Sequence, residues 1–158
     1  MTALIDIQRL VECESPTEDL AACNQVVDLA IEIANKLLKT PATKINENGR
    51  PVFWWGAKNP KIVLLCHLDT VWPKGSFQPT WKIEADTATG PGVFDMKAGF
   101  VQALYAISQI NGAQENVALV ATTDEEPCVT EQPIVVETVP SVVTELPDKL
   151  KKTKNYQP

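Results

Sequence analysis

The apolar run KIVLLC at residues 61–66 constrains the fold most, because it lacks the alternation of apolar and polar residues found in a half-exposed strand. Such a run is typical of a central strand that is covered on both faces. Residues 117–121 form a second run of this kind. Helical segments lie before and between the two runs. The sequence therefore predicts an α/β fold, with a partial open sheet and helices on both faces.

Helical periodicity is clearest over residues 20–38, where apolar residues recur at three- and four-residue steps. The sequence predicts Ser15 as the N-cap of this helix, with Pro16 at the first helical position and Glu18 completing a capping box. Two shorter helices are predicted, at residues 2–13 and after Asp95.

The segments between the first helices and residue 61 predict a β-hairpin. Residues 43–46 and 51–55 would be its strands, because Asn48-Gly49 between them is a strong turn signal. A further short strand is predicted around residues 81–85, within a loop that contains proline and glycine.

Composition and charge argue against several partners. A net charge of −6 disfavours a surface for nucleic acid or for an anionic membrane, because either needs a basic patch. No apolar run is long enough to span a bilayer, and we expect no signal peptide. The four cysteines include no C-x-x-C pair, so we expect reduced thiols in a cytoplasmic protein rather than a cysteine zinc site.

Polar groups that can carry chemistry follow the predicted strands and one loop break. His67 and Asp69 come directly after the first apolar run, and Glu125 and Glu126 follow the second. Asp95 follows a Gly-rich loop. Sites in open α/β sheets form outside the carboxyl ends of the strands, so we expect these groups to converge.

The residue types in this set suit zinc, which binds imidazole nitrogen and carboxylate oxygen. Asp69 lies two residues after His67, so the two side chains share a face of an extended segment. The carboxylate can then accept the imidazole N–H and aim the other ring nitrogen at a metal. Adjacent Glu125 and Glu126 would point to different sides, so that one binds metal while the other addresses water.

Each of these features also has a purely structural interpretation. A single histidine after a strand is usually structural or solvated. Asp95 before a helix is most simply an N-cap, and Glu125-Glu126 is most simply a solvated acidic loop.

Three motifs favour the functional interpretation. Residues 64–73 (LLCHLDTVWP) resemble the first metal motif of the M20 family of zinc peptidases and deacylases, and within it the glutamate carboxypeptidase branch. Residues 90–99 (GPGVFDMKAG) resemble the second motif, and residues 122–126 (TTDEE) resemble the third. The motifs occur in the family's order, and together they are specific.

The resemblance implies a role for each matched position. His67 would bind one zinc ion, Asp95 would bridge two zinc ions and Glu126 would bind the second. Glu125 would act as general base and acid, and Asp69 would support His67. The implied reaction is hydrolysis of an amide bond in a small peptide or an N-acyl amino acid, and the fold implied is the N-terminal half of the family's catalytic domain.

The sequence departs from the family after Glu126. Residues 1–126 are expected to form the N-terminal part of an M20-like catalytic domain, and residues 127–158 a divergent, disordered tail. The abrupt change suggests a truncated or frameshifted gene. The family's second histidine ligand has no counterpart, because His67 is the only histidine. The small dimerisation or lid domain, through which full-length relatives are expected to form homodimers, has no counterpart either.

Three alternative functions are compatible with these sequence features. The first is a zinc-dependent amide hydrolase, present as a truncated and inactive fragment. The second is a non-enzymatic remnant. The third is a metal-free binding module that uses the same cleft.

Overall fold

The computed structural model describes residues 3–125. Its helices are α1 (Ala3–Glu12), α2 (Leu20–Leu37), α3 (Ala98–Ser108) and a single turn, α4 (Ala113–Asn116). Its strands are β1 (Thr43–Glu47), β2 (Arg50–Gly56), β3 (Ile62–His67), β4 (Lys82–Glu84), β5 (Thr87–Thr89) and β6 (Val117–Thr122). Among these helices, none combines the length and the apolar composition that a membrane crossing requires.

Within residues 3–125, β1, β2, β6 and β3 form one sheet in that order, and β4 and β5 form a separate hairpin. The strand β3 runs parallel to β6, and the other two pairs in the sheet are antiparallel. The α/β fold with an open sheet is therefore confirmed. The parallel pairing places His67 opposite Thr122, so the carboxyl ends of both apolar strands meet at one edge, as predicted.

The hairpin predicted around Asn48-Gly49 is formed by β1 and β2, with Glu47 paired to Arg50. Asn48 and Gly49 have φ angles of 48° and 83°. Positive φ at both central residues is the requirement of a type I′ turn, which matches the twist of the flanking strands.

The central position predicted for β3 is wrong for the part of the chain that the structure describes, where β3 is an edge strand. Cys66 packs into the core, but Leu65 is 67% exposed and Ile62 is 55% exposed. The apolar run at residues 61–66 thus predicted the presence of β3 correctly, but not its position in the sheet. Its second apolar face has no cover within residues 3–125.

The core lies between one face of the sheet and the helices α1, α2 and α3, which also contact one another. Phe53 on β2 and Phe100 on α3 pack edge to face, with ring centroids 5.1 Å apart. Burial of such apolar side chains stabilises by about 1.5–3 kcal/mol for each residue. The second helical layer expected on the other face is not found within residues 3–125.

The predicted start of α2 is also wrong. Asp19, not Ser15, is the N-cap, and its carboxylate accepts a hydrogen bond of 2.9 Å from the Ala22 N–H. Ser15 is buried, and its hydroxyl donates to the Leu68 carbonyl oxygen at 2.6 Å. Pro16 pairs with Thr70 in a parallel bridge. The Ser-Pro segment therefore stays extended, because it hydrogen-bonds with the segment that follows β3.

Candidate active site

His67 is the last residue of β3, and its imidazole is buried between two aspartates. Nδ1 lies 3.2 Å from the backbone carbonyl oxygen of Asp69 and 3.5 Å from the Asp69 carboxylate. Nε2 lies 3.0 Å from Oδ1 of Asp95. A neutral ring that donates from Nδ1 keeps its lone pair on Nε2, which faces Asp95.

These contacts determine the charge of the imidazole. Burial lowers the pKa of His67, but hydrogen bonds to Asp69 and Asp95 outweigh burial and raise it to about 9. Without a cation the ring is therefore protonated at neutral pH. A metal ion that binds Nε2 would displace this proton, because metal binding requires the neutral ring.

Asp69 is fully buried and is held by the extended segment that precedes α2. Thr17 donates from Oγ1 to Oδ2 of Asp69 at 2.8 Å. The Thr70 N–H donates to the Ser15 carbonyl at 2.9 Å, and the Thr17 N–H donates to the Thr70 carbonyl at 3.1 Å. This role of Thr17 cannot be predicted from the sequence, because Ser15-Pro16 has the pattern of a helix start. The same Ser15-Pro16 pair is also compatible with an extended segment, and this was the one sequence feature that could have indicated it.

Asp95 lies in the turn Val93–Lys97, which leads into α3. Its backbone is not helical, with φ −117° and ψ 101°, and the Asp95–Met96 peptide is cis. The alternative that Asp95 caps the helix does not hold, because α3 begins at Ala98 and no side-chain hydrogen bond caps it. The Asp95 carboxylate instead contacts His67.

Lys97 anchors this turn to α1, a contact that no sequence pattern indicates. Its side chain is fully buried, and Nζ donates to the carbonyl oxygens of Leu10 at 2.9 Å and Cys13 at 3.1 Å. Carbonyl groups at the end of a helix lack partners within the helix and carry partial negative charge, so an ammonium suits them. Burial lowers the pKa of Lys97 to about 8.

Gly92 allows the same turn to pass close to the segment after β3. Its φ is +68°, and a Cβ at this position would lie 2.6 Å from Cγ2 of Thr70. Any other residue would be strained by both the backbone and the contact.

The acidic segment after β6 leaves the sheet beside Asp69. The Leu68 N–H donates to the Thr122 carbonyl at 2.9 Å, which continues the parallel pairing beyond His67. Burial raises the pKa of Asp124, and the negative charge of Asp69 raises it further. Glu125 is exposed and is the last described residue. Glu126 lies outside the described residues.

His67 and Asp95 fit two positions of a zinc site. Imidazole nitrogen and carboxylate oxygen bind zinc at about 2.0–2.2 Å, so two ligands 3.0 Å apart can share one ion after a small adjustment. Within residues 3–125, no group of three or more His, Cys, Asp and Glu side chains is arranged to hold a metal ion. The described chain thus brings together His67, Asp69 and Asp95, and the metal roles of His67, Asp95 and Glu126 stay predictions.

Residues 63–142 match the model of the peptidase family M20/M25/M40, and this segment contains all five predicted site residues, His67, Asp69, Asp95, Glu125 and Glu126. The match extends beyond Glu126, so the boundary at that residue stays a prediction. No curated protein matches the chain.

Among solved structures, the M20 family metallo-carboxypeptidase Sso-CP2 from Sulfolobus solfataricus is similar to this chain, with a TM-score of 0.67 at 22% sequence identity. The similarity covers 80% of this chain and 31% of that chain, so this chain spans about a third of the length of that carboxypeptidase. At this identity the likeness shows the fold. The family model matches half of the sequence, and the chain therefore belongs to the peptidase family M20/M25/M40.

Proposed function

We propose that this chain carries part of the active site of a zinc-dependent hydrolase, which cleaves amide bonds in small peptides or N-acyl amino acids. The observation that carries this proposal is the approach of His67 Nε2 to Asp95 Oδ1, at 3.0 Å, beyond the carboxyl end of β3. Membership of a peptidase family and the order of the three motifs support it.

Each site residue has a defined task in this proposal. His67 and Asp95 would hold zinc, with Glu126 as a further ligand. When bound, zinc supplies positive charge that polarises the scissile carbonyl and eases the deprotonation of water. Asp69 fixes the orientation of His67 through Nδ1. The carboxylate of Glu125 takes a proton from the attacking water and returns it to the leaving amine.

A cleft beside Asp95 suggests where the substrate binds. Its volume is about 290 Å³, and the described residues that line it are Thr70, Val71, Trp72, Gly90, Gly92, Val93, Phe94 and Asp95. The Trp72 ring packs edge to face on Phe77, with centroids 5.2 Å apart. We propose that this cleft receives the side chain next to the scissile amide.

The lining of this cleft favours an apolar substrate side chain. No lysine or arginine is among its described lining residues. The nearby Lys74 already contacts Asp19 at 2.6 Å. An acidic side chain would find no lysine or arginine among the described lining residues, whereas Val71, Trp72 and Phe94 offer apolar surface. The substrate preference proposed here differs from that of the glutamate carboxypeptidase branch, which the first motif resembles.

A metal-free binding module is the second candidate. The ion pairs of protonated His67 with Asp69 and Asp95 satisfy the imidazole without a cation. The described residues also supply two metal ligands, whereas a catalytic zinc usually has three from protein. In this case the cleft binds small apolar ligands and hydrolyses none.

Zinc titration of the 158-residue chain separates the two candidates. Zinc at about 100 times its dissociation constant should stabilise the folded chain by about 2.7 kcal/mol, seen as a rise in melting temperature. His67→Gln should remove this rise, and Lys36→Gln, a surface change far from the site, should keep it. Hydrolysis of N-acetyl-L-leucine and of dipeptides is measured on the same samples. An equal effect of zinc on the His67→Gln variant would overturn the zinc site.

A further inference from the structure

We infer that Arg50 is a positioning residue, which ties the His67 side of the candidate site to its Glu125 side. Arg50 is the first residue of β2 and is partly buried. Its Nη1 donates to the carbonyl oxygen of Thr17 and, at 3.3 Å, to the carbonyl oxygen of Thr123. One nitrogen with two N–H groups thus joins two segments that are distant in sequence. The inference rests on the proposed function.

The Thr17 carbonyl belongs to the His67 side. The hydroxyl of Thr17 donates to Asp69 at 2.8 Å, and Asp69 faces Nδ1 of His67. A shift of the Thr17 backbone would therefore move the carboxylate that orients the imidazole. Arg50 is thus linked to the proposed metal ligand His67 through Thr17 and then Asp69.

The Thr123 carbonyl belongs to the Glu125 side of the candidate site. Thr123 is fully buried, and its hydroxyl donates to the Pro51 carbonyl at 3.0 Å, next to Arg50 in β2. Glu125, the proposed general base, follows two residues later. Arg50 and Pro51 therefore hold the start of the acidic segment by both its backbone and its side chain.

The chemistry of the guanidinium suits this task. Arginine stays charged at all relevant pH values and presents its N–H groups in a rigid plane. Hydrogen bonds from a charged donor are about twice as strong as neutral ones. Without this donor, the carbonyl groups of the buried residues Thr17 and Thr123 would lose a shared partner. Each such loss destabilises locally and lets the two segments separate.

Hydrogen exchange of the 158-residue chain tests the inference without requiring activity. Three amide groups report on the joined segments, those of Thr17, Thr70 and Leu68, because each donates across the site. Arg50→Ala should speed their exchange about tenfold and shift the resonances of residues 123–125. Amides within the β2–β6 ladder should exchange at the wild-type rate. Arg50→Lys should restore part of the protection, and added guanidinium should restore part of it in Arg50→Ala.

Arg9→Ala is the matched control, because it also removes one partly exposed arginine, whose Nη2 contacts Glu32 at 3.0 Å on the helical side. It should leave exchange at Thr17, Thr70 and Leu68 unchanged. A uniform rise of exchange in Arg50→Ala would mean that Arg50 only stabilises the fold, and a change on one side alone would remove the proposed link. Either result overturns the inference.

Zinc affinity, measured on the same variants, separates the inference from the proposed function. Loss of a residue that orients a ligand typically lowers metal affinity 10- to 100-fold, so about a tenfold loss is expected for Arg50→Ala. An unchanged affinity would count against the positioning role. If the wild-type chain binds no zinc, the hydrolase proposal fails, and the exchange pattern still decides the role of Arg50.

Discussion

Two parts of the candidate site differ in how much of them the chain encloses: a buried side, formed by His67 and Asp69, and an exposed side, formed by Asp95. The side chains of His67 and Asp69 are 6% and 0% exposed, whereas that of Asp95 is 70% exposed. Asp69 is held by Thr17, and that backbone is held by Thr70 and Arg50. Asp95 is positioned through its turn, by Lys97 and Gly92, and its carboxylate reaches out to His67.

The buried side is held by hydrogen bonds of the protein itself. The buried side fixes the orientation of the imidazole, because a buried carboxylate cannot change partners without losing hydrogen bonds. The exposed side leaves Asp95 open to the cleft, where a cation and a substrate would approach. We expect the buried side to determine stability and the exposed side to determine binding.

The largest expected effect comes from truncating the two aspartates separately. Asp69→Ala removes a buried partner from both His67 and Thr17, so the free energy of unfolding should fall by about 3–5 kcal/mol. Asp95→Ala removes an exposed partner of His67 and should cost less than about 1 kcal/mol. Denaturant unfolding with a metal chelator present measures both. Similar losses of unfolding free energy in the two variants would show that the buried and exposed sides do not differ in their contribution to stability.

A smaller effect is expected in the pH dependence of stability without metal. The pKa of His67 is raised from 6.5 to about 9 in the folded chain, against the effect of burial, by hydrogen bonds to Asp69 and Asp95. Between these values the folded chain holds a proton that the unfolded chain has released, so stability falls as pH rises. The stabilisation is fully present below pH 6.5 and is lost as pH rises through about 9.

The loss should amount to about 3 kcal/mol, since one pKa unit corresponds to about 1.4 kcal/mol. Unfolding of the chelated chain across this range measures it. His67→Gln should show a smaller decline over the same interval, because its side chain does not titrate. An equal decline in both proteins would show that the aspartates do not raise the pKa of His67.

The sequence predicted the elements that depend on local patterns. Apolar periodicity located α2, the Asn48-Gly49 turn located the hairpin, and the two apolar runs located β3 and β6. The edge position of β3 depends on which strands pair with it, and no local pattern contains that information. The N-cap of α2 was misplaced for a similar reason, since Ser15 hydrogen-bonds to Leu68, far away in sequence.

The site shows the same division between local and distant information. Motifs identified His67, Asp69 and Asp95 because those residues lie within short, specific segments. The residues that hold Asp69 are distant in sequence: the Thr17 hydroxyl donates to its carboxylate, and the Arg50 guanidinium donates to the Thr17 carbonyl. Such contacts depend on tertiary structure, so they become visible only in the folded chain. The metal and catalytic roles of all five residues, His67, Asp69, Asp95, Glu125 and Glu126, stay predictions.

The smallest effect on stability is expected at the cleft. Trp72 is 47% exposed and packs on Phe77, so Trp72→Ala should lower the free energy of unfolding by about 1 kcal/mol or less. It should weaken binding of N-acetyl-L-leucine about tenfold, because the ring supplies much of the apolar wall.

Binding is followed by NMR titration, with N-acetyl-L-glutamate as the competing acidic ligand. Ile110→Ala, an exposed apolar residue outside this cleft, is the control. Tighter binding of the glutamate derivative than of the leucine derivative in the wild-type chain would contradict the apolar preference, and equal weakening in both variants would remove Trp72 from the cleft's function.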